Sequence, residues 1–370
     1  LQSISPQRKV MEESVRRYIK LDTYPIEPSL EENPVPLNRF LPVAAVSLLL
    51  LAIGCGQTQQ TGPSFTLYAV QNSGVAGSSV IELPLFNGQN GQSLVSPANT
   101  IAVPMQTSFQ ALAVDTAGNL YVSASVVTAP PMLYEIQVYA PTATGSATPA
   151  RTITSPSLTA PLTSIAVDAE GDVYALTGNS ICVFAANATG NSTPVRLISG
   201  SLTLLNSPSS IAVDAAQNIY VANQIYTATT DGGNILVFSS TATGNAAPSS
   251  TLGGNNTSIG IPLGVAVDSV GNLYVSSFNE PSASSLVLEF APGASGNAAP
   301  TRVLTSVAAY TLSGLAVDAL DNLYVFTQAP TTNLLAIDVF TPDESGSTAP
   351  IDTITATSWT ASNYGQLAVR

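Results

Sequence analysis

The stretch Leu112-Ala113-Val114-Asp115-Thr116-Ala117-Gly118-Asn119-Leu120-Tyr121-Val122 decides the fold, because near-copies of it return along the whole second part of the chain. They begin at Ile165 (IAVDAEGDVYAL), Ile211 (IAVDAAQNIYVA), Val265 (VAVDSVGNLYVS) and Leu315 (LAVDALDNLYVF), and a truncated sixth is Leu367-Ala368-Val369-Arg370. By subtraction, the repeat aspartates Asp115, Asp168, Asp214, Asp268 and Asp318 lie 53, 46, 54 and 50 residues apart. Periods of this size mark an array of supersecondary units.

Each unit reads as four short strands. The Ile/Leu/Val-Ala-Val triplet is the first, and Asp-x-x-Gly-Asn is a tight turn in which Asp and Asn side chains bond nearby amides and Gly accepts positive φ. The Leu-Tyr-Val run is the second strand. A third follows a variable loop, as in Tyr134–Ala140, Ser180–Ala185, Asn234–Ser239, Ser285–Phe290 and Leu335–Phe340. A second signature, ATGSATP at 143–149 with counterparts at 188–194, 242–248, 294–300 and 344–350, then marks a long hairpin into the fourth strand. Four strands per unit at this period predict the blades of an all-β propeller, with a stacked solenoid as the alternative. The first-strand triplets lack polar alternation because neighbouring blades cover both their faces, and the central Ala suits crowding at the axis.

The ends set the number of blades. Phe65–Val70 matches a second strand with no first strand before it, and Gly365–Val369 is a first strand with nothing after it. Pairing them hides both edges and completes a sixth blade, whose remaining strands are Val80–Phe86 and Asn99–Val103. The expected architecture is therefore a six-bladed β-propeller over 64–370, each blade four-stranded and antiparallel.

On the G/S-[ILV]-A-V-D-x-x-G-N-[LI]-Y-V pattern and the Ile-x-Val-Phe strand, the chain resembles the NHL-repeat family of propellers and its bacterial secreted relatives. The resemblance implies a propeller without implying an activity, since one scaffold hosts many. The chain departs from the family in its long Ala-Thr-Gly-Asn-x-x-Pro hairpins, and only Gly178-Asn179-Ser180-Ile181 keeps something like the family's Gly-Asn-x-x-Ile loop.

Charge is placed unevenly. Six of the ten basic residues precede residue 40; after Cys55 there are four arginines, no lysine and seventeen acidic residues, a balance of 4 − 17 = −13. That balance repels nucleic acid and anionic lipid, so no nucleic-acid partner is expected. The chain has no histidine, which removes the commonest general base and a common zinc ligand and excludes a Ser-His-Asp triad.

Residues 1–36 are polar, of mixed charge and proline-containing, and read as a leader or disordered arm, or as an over-extended reading of the gene. Asn38-Arg39 precedes an uncharged run from Phe40 to Ile53, too short to span a bilayer comfortably. Leu51-Ala52-Ile53-Gly54-Cys55 resembles the lipobox of bacterial lipoproteins, with Ala52 where leucine is usual. The resemblance implies a signal at 37–54, acylation of Cys55, a polar tether over 55–63, and anchoring by lipid alone. Gly56 in the next position, without aspartate, favours the outer membrane or cell surface. An ordinary cleaved signal or a short buried helix is the plainer alternative.

Candidates for chemistry are few. The repeat aspartates are expected to cap their own turns, and Arg370 replaces Asp in the one copy with no turn to cap. Asp168-Ala169-Glu170-Gly171-Asp172 is the most calcium-like segment, but it is shorter than an EF-hand loop and lacks the distal Glu; no cofactor is expected, with Asp168, Glu170 and Asp172 the weak candidates for calcium. Cys182 stands where other blades carry Leu236 and Leu288 and reads as a small buried hydrophobe. Tyr68, Tyr121, Tyr174, Tyr220, Tyr274 and Tyr324 recur once per blade and read as packing residues. The repeats differ most in the loops between second and third strands, so Asn223, Gln224, Asn279, Glu280 and Gln328 at those strand ends are the candidate ligand contacts.

These features favour a monomeric, non-enzymatic, lipid-anchored propeller of the bacterial envelope that binds a protein, glycan or other surface partner through its loops. The alternative is a propeller-type hydrolase or lyase, such as a metal-dependent lactonase-like enzyme with carboxylate and amide ligands. Lyases resembling the streptogramin-inactivating kind rely on histidine. A spacer with no ligand is a third reading.

Overall fold

A computed structural model describes residues 66–370 except 73–77, 84–90, 95–98, 103–106, 128–131, 227–230, 280–283, 305–311, 329–334, 343–349 and 356–363. The leader, the signal, Cys55 and the tether lie outside the described residues, as does Glu280. No helix among the described residues is long and apolar enough to cross a membrane.

Six antiparallel four-stranded sheets form the blades of a propeller. From the axis outward, blade 1 is Tyr364–Val369, Leu67–Asn72, Ser78–Leu83 and Asn99–Ala102. Blade 2 is Thr107–Val114, Leu120–Val126, Leu133–Tyr139 and Arg151–Thr154, and blade 3 is Leu162–Val167, Val173–Thr177, Ser180–Phe184 and Arg196–Ser199. Blade 4 is Pro208–Val213, Ile219–Tyr226, Asp231–Phe238 and Ser250–Leu252. Blade 5 is Ile261–Val267, Leu273–Asn279, Ser284–Phe290 and Arg302–Leu304, and blade 6 is Leu312–Val317, Leu323–Gln328, Leu335–Phe340 and Asp352–Thr355.

The ring closes within blade 1. Leu67 pairs with Val369, and Thr66 and Arg370 exchange both backbone hydrogen bonds, at 3.0 and 3.1 Å. In a complete blade Asp115 and Asn119 hold these two positions, with the Asp115 amide donating to the Asn119 carbonyl. Each blade also carries one register shift between its first and second strands, for example between Pro262 and Gly264, where the extra residue adds the local twist that a blade needs.

The apolar core lies in the seams between blades. One buried cluster packs Ala111, Ile136 and Ile153 of blade 2 on Leu162, Val173 and Phe184 of blade 3, and corresponding clusters fill the other five seams. A strand such as Val173–Thr177 therefore serves two seams and is buried at every position, which is why its sequence shows no polar alternation.

The second signature staples blades together. Gly145 of blade 2 bridges in parallel to Ile101, the outer strand of blade 1, and Gly244 and Gly296 do the same to Ile198 and Leu252. Gly190–Asn191 lies beside Ile153 and Thr154, and Gly91–Leu94 of blade 1 lies beside Asp352–Thr355 of blade 6. Each of these five hairpins covers the outer edge of the preceding blade, an edge that would otherwise invite pairing with another chain.

Candidate functional site

The two faces of the ring are built differently. One carries the Asp turns. There Asp115 Oδ1 accepts the Asn119 amide at 2.8 Å, while Oδ2 accepts the Asn119 side-chain amide at 2.8 Å and the Tyr121 hydroxyl at 3.2 Å. Asp214, Asp268 and Asp318 repeat the set, and Asp168 takes the Asp172 amide and the Tyr174 hydroxyl. The repeat carboxylates serve their own turns. The once-per-blade tyrosines therefore do more than pack, since each of these five hydroxyls is tied to its aspartate.

Arginine extends this arrangement across three seams. Arg196 donates to the Tyr174 hydroxyl at 3.2 Å and to the Ala242 carbonyl of the next blade at 3.5 Å, with its guanidinium 5.5 Å from the Tyr174 ring centre. Arg151 links Tyr121 to the Ala188 carbonyl, and Arg302 lies over Tyr274 and reaches the Thr341 and Pro342 carbonyls. Burial is the main cause that pushes these phenols above the ordinary tyrosine value, with the aspartates adding to it; Tyr220, which has no arginine, rises to about 12.

Two turns place a residue other than glycine at the left-handed position. Gln217, at φ 62°, donates to Asp168 Oδ2 and to Glu170 on the turn of blade 3, both at 3.1 Å. Asp321, also at φ 62°, accepts the Ser269 amide at 2.9 Å and its hydroxyl at 2.8 Å on the turn of blade 5. The side chains recover through these bridges what the backbone loses at positive φ. Of the calcium-like candidates, Asp172 accepts the Ala186 amide at 2.9 Å, and Asp168 and Glu170 share Gln217. Among the described residues no three acidic or cysteine side chains converge.

The axis is a channel of about 190 Å³ walled by the repeat triplets of all six blades. The bond from the Asp168 amide to the Asp172 carbonyl fixes the alternation of the ladder, so the backbone groups of Ile165 and Val167 turn away from their own sheet towards the axis. Serines cap some of them: the Ile211 amide donates to Ser164 Oγ at 3.1 Å and the Val265 amide to Ser210 Oγ at 3.2 Å, each across a seam. Among the described wall residues the side chains are aliphatic or glycine apart from Ser210.

The opposite face carries the variable loops and the connectors between blades. Thr177, Asn223 and Ser277 stand three residues after the blade tyrosine and accept, in turn, the amides of Ala160, Asn206 and Gly260 in the connector entering the same blade. Asn223 is buried, and its amide nitrogen donates to Asn234 at 3.0 Å, so both ends of this candidate contact are engaged inside the fold. Gln224 donates to the Pro262 carbonyl at 3.1 Å on the next blade. Asn279 is half-buried at the end of its strand, opposite Ser284, and the Gln328 backbone pairs with Leu335. Cys182 is buried and free, its thiol raised to about 11 by burial, with Sγ 3.7 Å from the Ser157 carbonyl.

This face is uneven. The paired strands of blade 4 run eight residues each and those of blade 2 seven, whereas blade 3 has five and closes at Gly178-Asn179. At about 3.3 Å per residue, three residues leave blade 3 about 10 Å lower than blade 4. Val127, Met132 and Leu133 are exposed on the blade 2 side of that step.

No protein-family model matches the chain, and no curated protein matches it. Solved structures do. A Bacteroides caccae protein of unknown function aligns with a TM-score of 0.53 at 10% identity, covering 83% of this chain and 99% of that one. A Lactobacillus plantarum protein aligns at 0.47 and 16% identity, covering 77% and 81%, and a gluconolactonase from Xanthomonas campestris at 0.39 and 13%, covering 78% and 89%. The likeness is one of fold. None of these identities carries an activity to this chain.

Proposed function

We propose that this chain is an NHL-like, lipid-anchored propeller of the bacterial cell envelope that binds a protein or glycan surface partner on its loop face and catalyses no reaction. The observation that carries the reading is the step over blade 3. The blades are built alike at the axis, and they diverge most on the loop face, in height as well as in side chains, where selection for a partner would act. Gln224, Asn279, Glu280 and Gln328 are the proposed contacts, with Asn223 positioning the connector behind them. Acylation of Cys55, following the lipobox-like 51–55, would hold the molecule at the outer membrane or cell surface.

The test is retrieval from envelope extracts by the full chain, repeated with Met132→Asp and Gln328→Ala on the loop face and Glu170→Ala on the turn face. A partner lost with the loop-face changes and kept with Glu170→Ala supports the reading. Retrieval indifferent to the loop-face changes refutes it, as does lactone hydrolysis by the purified protein that chelators abolish.

A further inference from the structure

We propose that the Asp-turn face lies against the lipid bilayer, with Val270 and Leu320 dipping into its surface, so that the loop face points away from the membrane. The inference rests on the proposed acylation of Cys55. Three observations point to it.

The first is where the chain joins the ring. Thr66 is bonded to Arg370 at the position that a complete blade gives to the turn asparagine, so the segment leading from Cys55 meets the propeller on the turn face. Cys55 and Thr66 are 66 − 55 = 11 residues apart. Such a segment spans at most about 40 Å when fully extended, which bounds the distance between Cys55 and the point where the chain enters this face.

The second is an exposed aliphatic pair on the same face. The third residue of the turn is Ala117, Glu170 and Ala216 in blades 2, 3 and 4, but Val270 and Leu320 in blades 5 and 6, with exposures of 66% and 53%. The bonds from Ser269 to Asp321 hold these two turns side by side, which makes one patch of the two residues. Blade 6 is one of the two blades that pack on blade 1, where the chain enters.

The third is charge. The turn aspartates are engaged with their own turns, and Asp321 with Ser269, so the patch is aliphatic at its centre and acidic around it. A zwitterionic surface suits that pattern and an anionic one does not.

The experiment uses the full chain, expressed in a bacterium that acylates lipoproteins and reconstituted on phosphatidylcholine vesicles. In a Trp359→Phe background, tryptophan is placed singly by Val270→Trp, Leu320→Trp or, on the loop face, Met132→Trp. The first two are expected to show blue-shifted emission quenched by brominated phosphatidylcholine, and the third neither effect. Acylated protein whose three tryptophans behave alike, or in which Met132→Trp alone is quenched, overturns this orientation and leaves the anchor intact. Mass spectrometry showing Cys55 without acyl chains overturns the anchor and the orientation together.

Discussion

Asp352→Asn is expected to stabilise the protein at neutral pH. Asp352 pairs with Val339, the register position at which blades 2, 3 and 5 place Arg151, Arg196 and Arg302. It is 2% exposed, and beyond the adjacent Thr353 amide neither carboxylate oxygen finds a hydrogen-bond partner. Burial pushes its pKa up, Asp338 adds to the push, and the adjacent Thr353 amide opposes it. The sign follows from linkage. A carboxyl whose folded pKa exceeds its unfolded value favours folding below the unfolded value and loses that contribution as pH rises through the folded one. At pH 7 the ionised group is thus a burden, and an unsatisfied buried polar group costs about 1–3 kcal/mol. The amide keeps the shape and removes the charge, so a gain of up to about that size is expected, or about 2–6 °C in Tm for a domain of this length. Urea unfolding at pH 7.5 and pH 3.5 checks it: the variant should lead at the higher pH and lose its lead at the lower. An equal lead at both values, or a loss at pH 7.5, would show that Asp352 has a cationic partner or a structural role, and the reasoning would fail.

Two further outcomes follow from the same lattice of contacts. Arg196→Met, which keeps the stem over Tyr174 and removes the bonds to Tyr174 and Ala242, should lower stability by about 1–3 kcal/mol in denaturant titration, whereas Val195→Met beside it, at an exposed site, should change little. Alkaline unfolding should be late and cooperative: Tyr220 has its phenol raised to about 12 by burial and by Asp214, so its contribution is complete below about pH 10 and is lost between there and about pH 12. The tyrosinate absorbance owed to Tyr220, read as the difference from Tyr220→Phe, should therefore rise together with loss of the near-ultraviolet circular dichroism signal; a Tyr220 phenol titrating near pH 10 in a protein still folded would count against the Asp214-Tyr220 pair.

What the sequence made legible was local. Asp-x-x-Gly-Asn closes on itself within five residues, so its chemistry could be read from the letters. The blade count was legible because the two incomplete strands, Phe65–Val70 and Gly365–Val369, could satisfy each other's edges. Contacts made one period away were not. Arg196 finds Ala242 and Ser210 finds Val265 across seams, and no spacing rule relates residues 46 and 55 positions apart to a particular hydrogen bond.

Asn223 shows the same boundary at a single position. Beside Gln224 at a strand end it reads as a loop residue available to a ligand, because its equivalents, Thr177 and Ser277, are different residue types and identity hides the repeat. Only the constant offset of three from the tyrosine, combined with a connector amide seventeen residues upstream in all three blades, reveals the shared duty. Positions under such a constraint can vary in residue type while keeping one acceptor oxygen. Positions free of it, such as Met132 on the loop face and Val270 and Leu320 on the turn face, vary without any shared atom between blades. In a propeller whose six units are otherwise so alike, that is where differences between blades can be spent on a surface the molecule presents to something else.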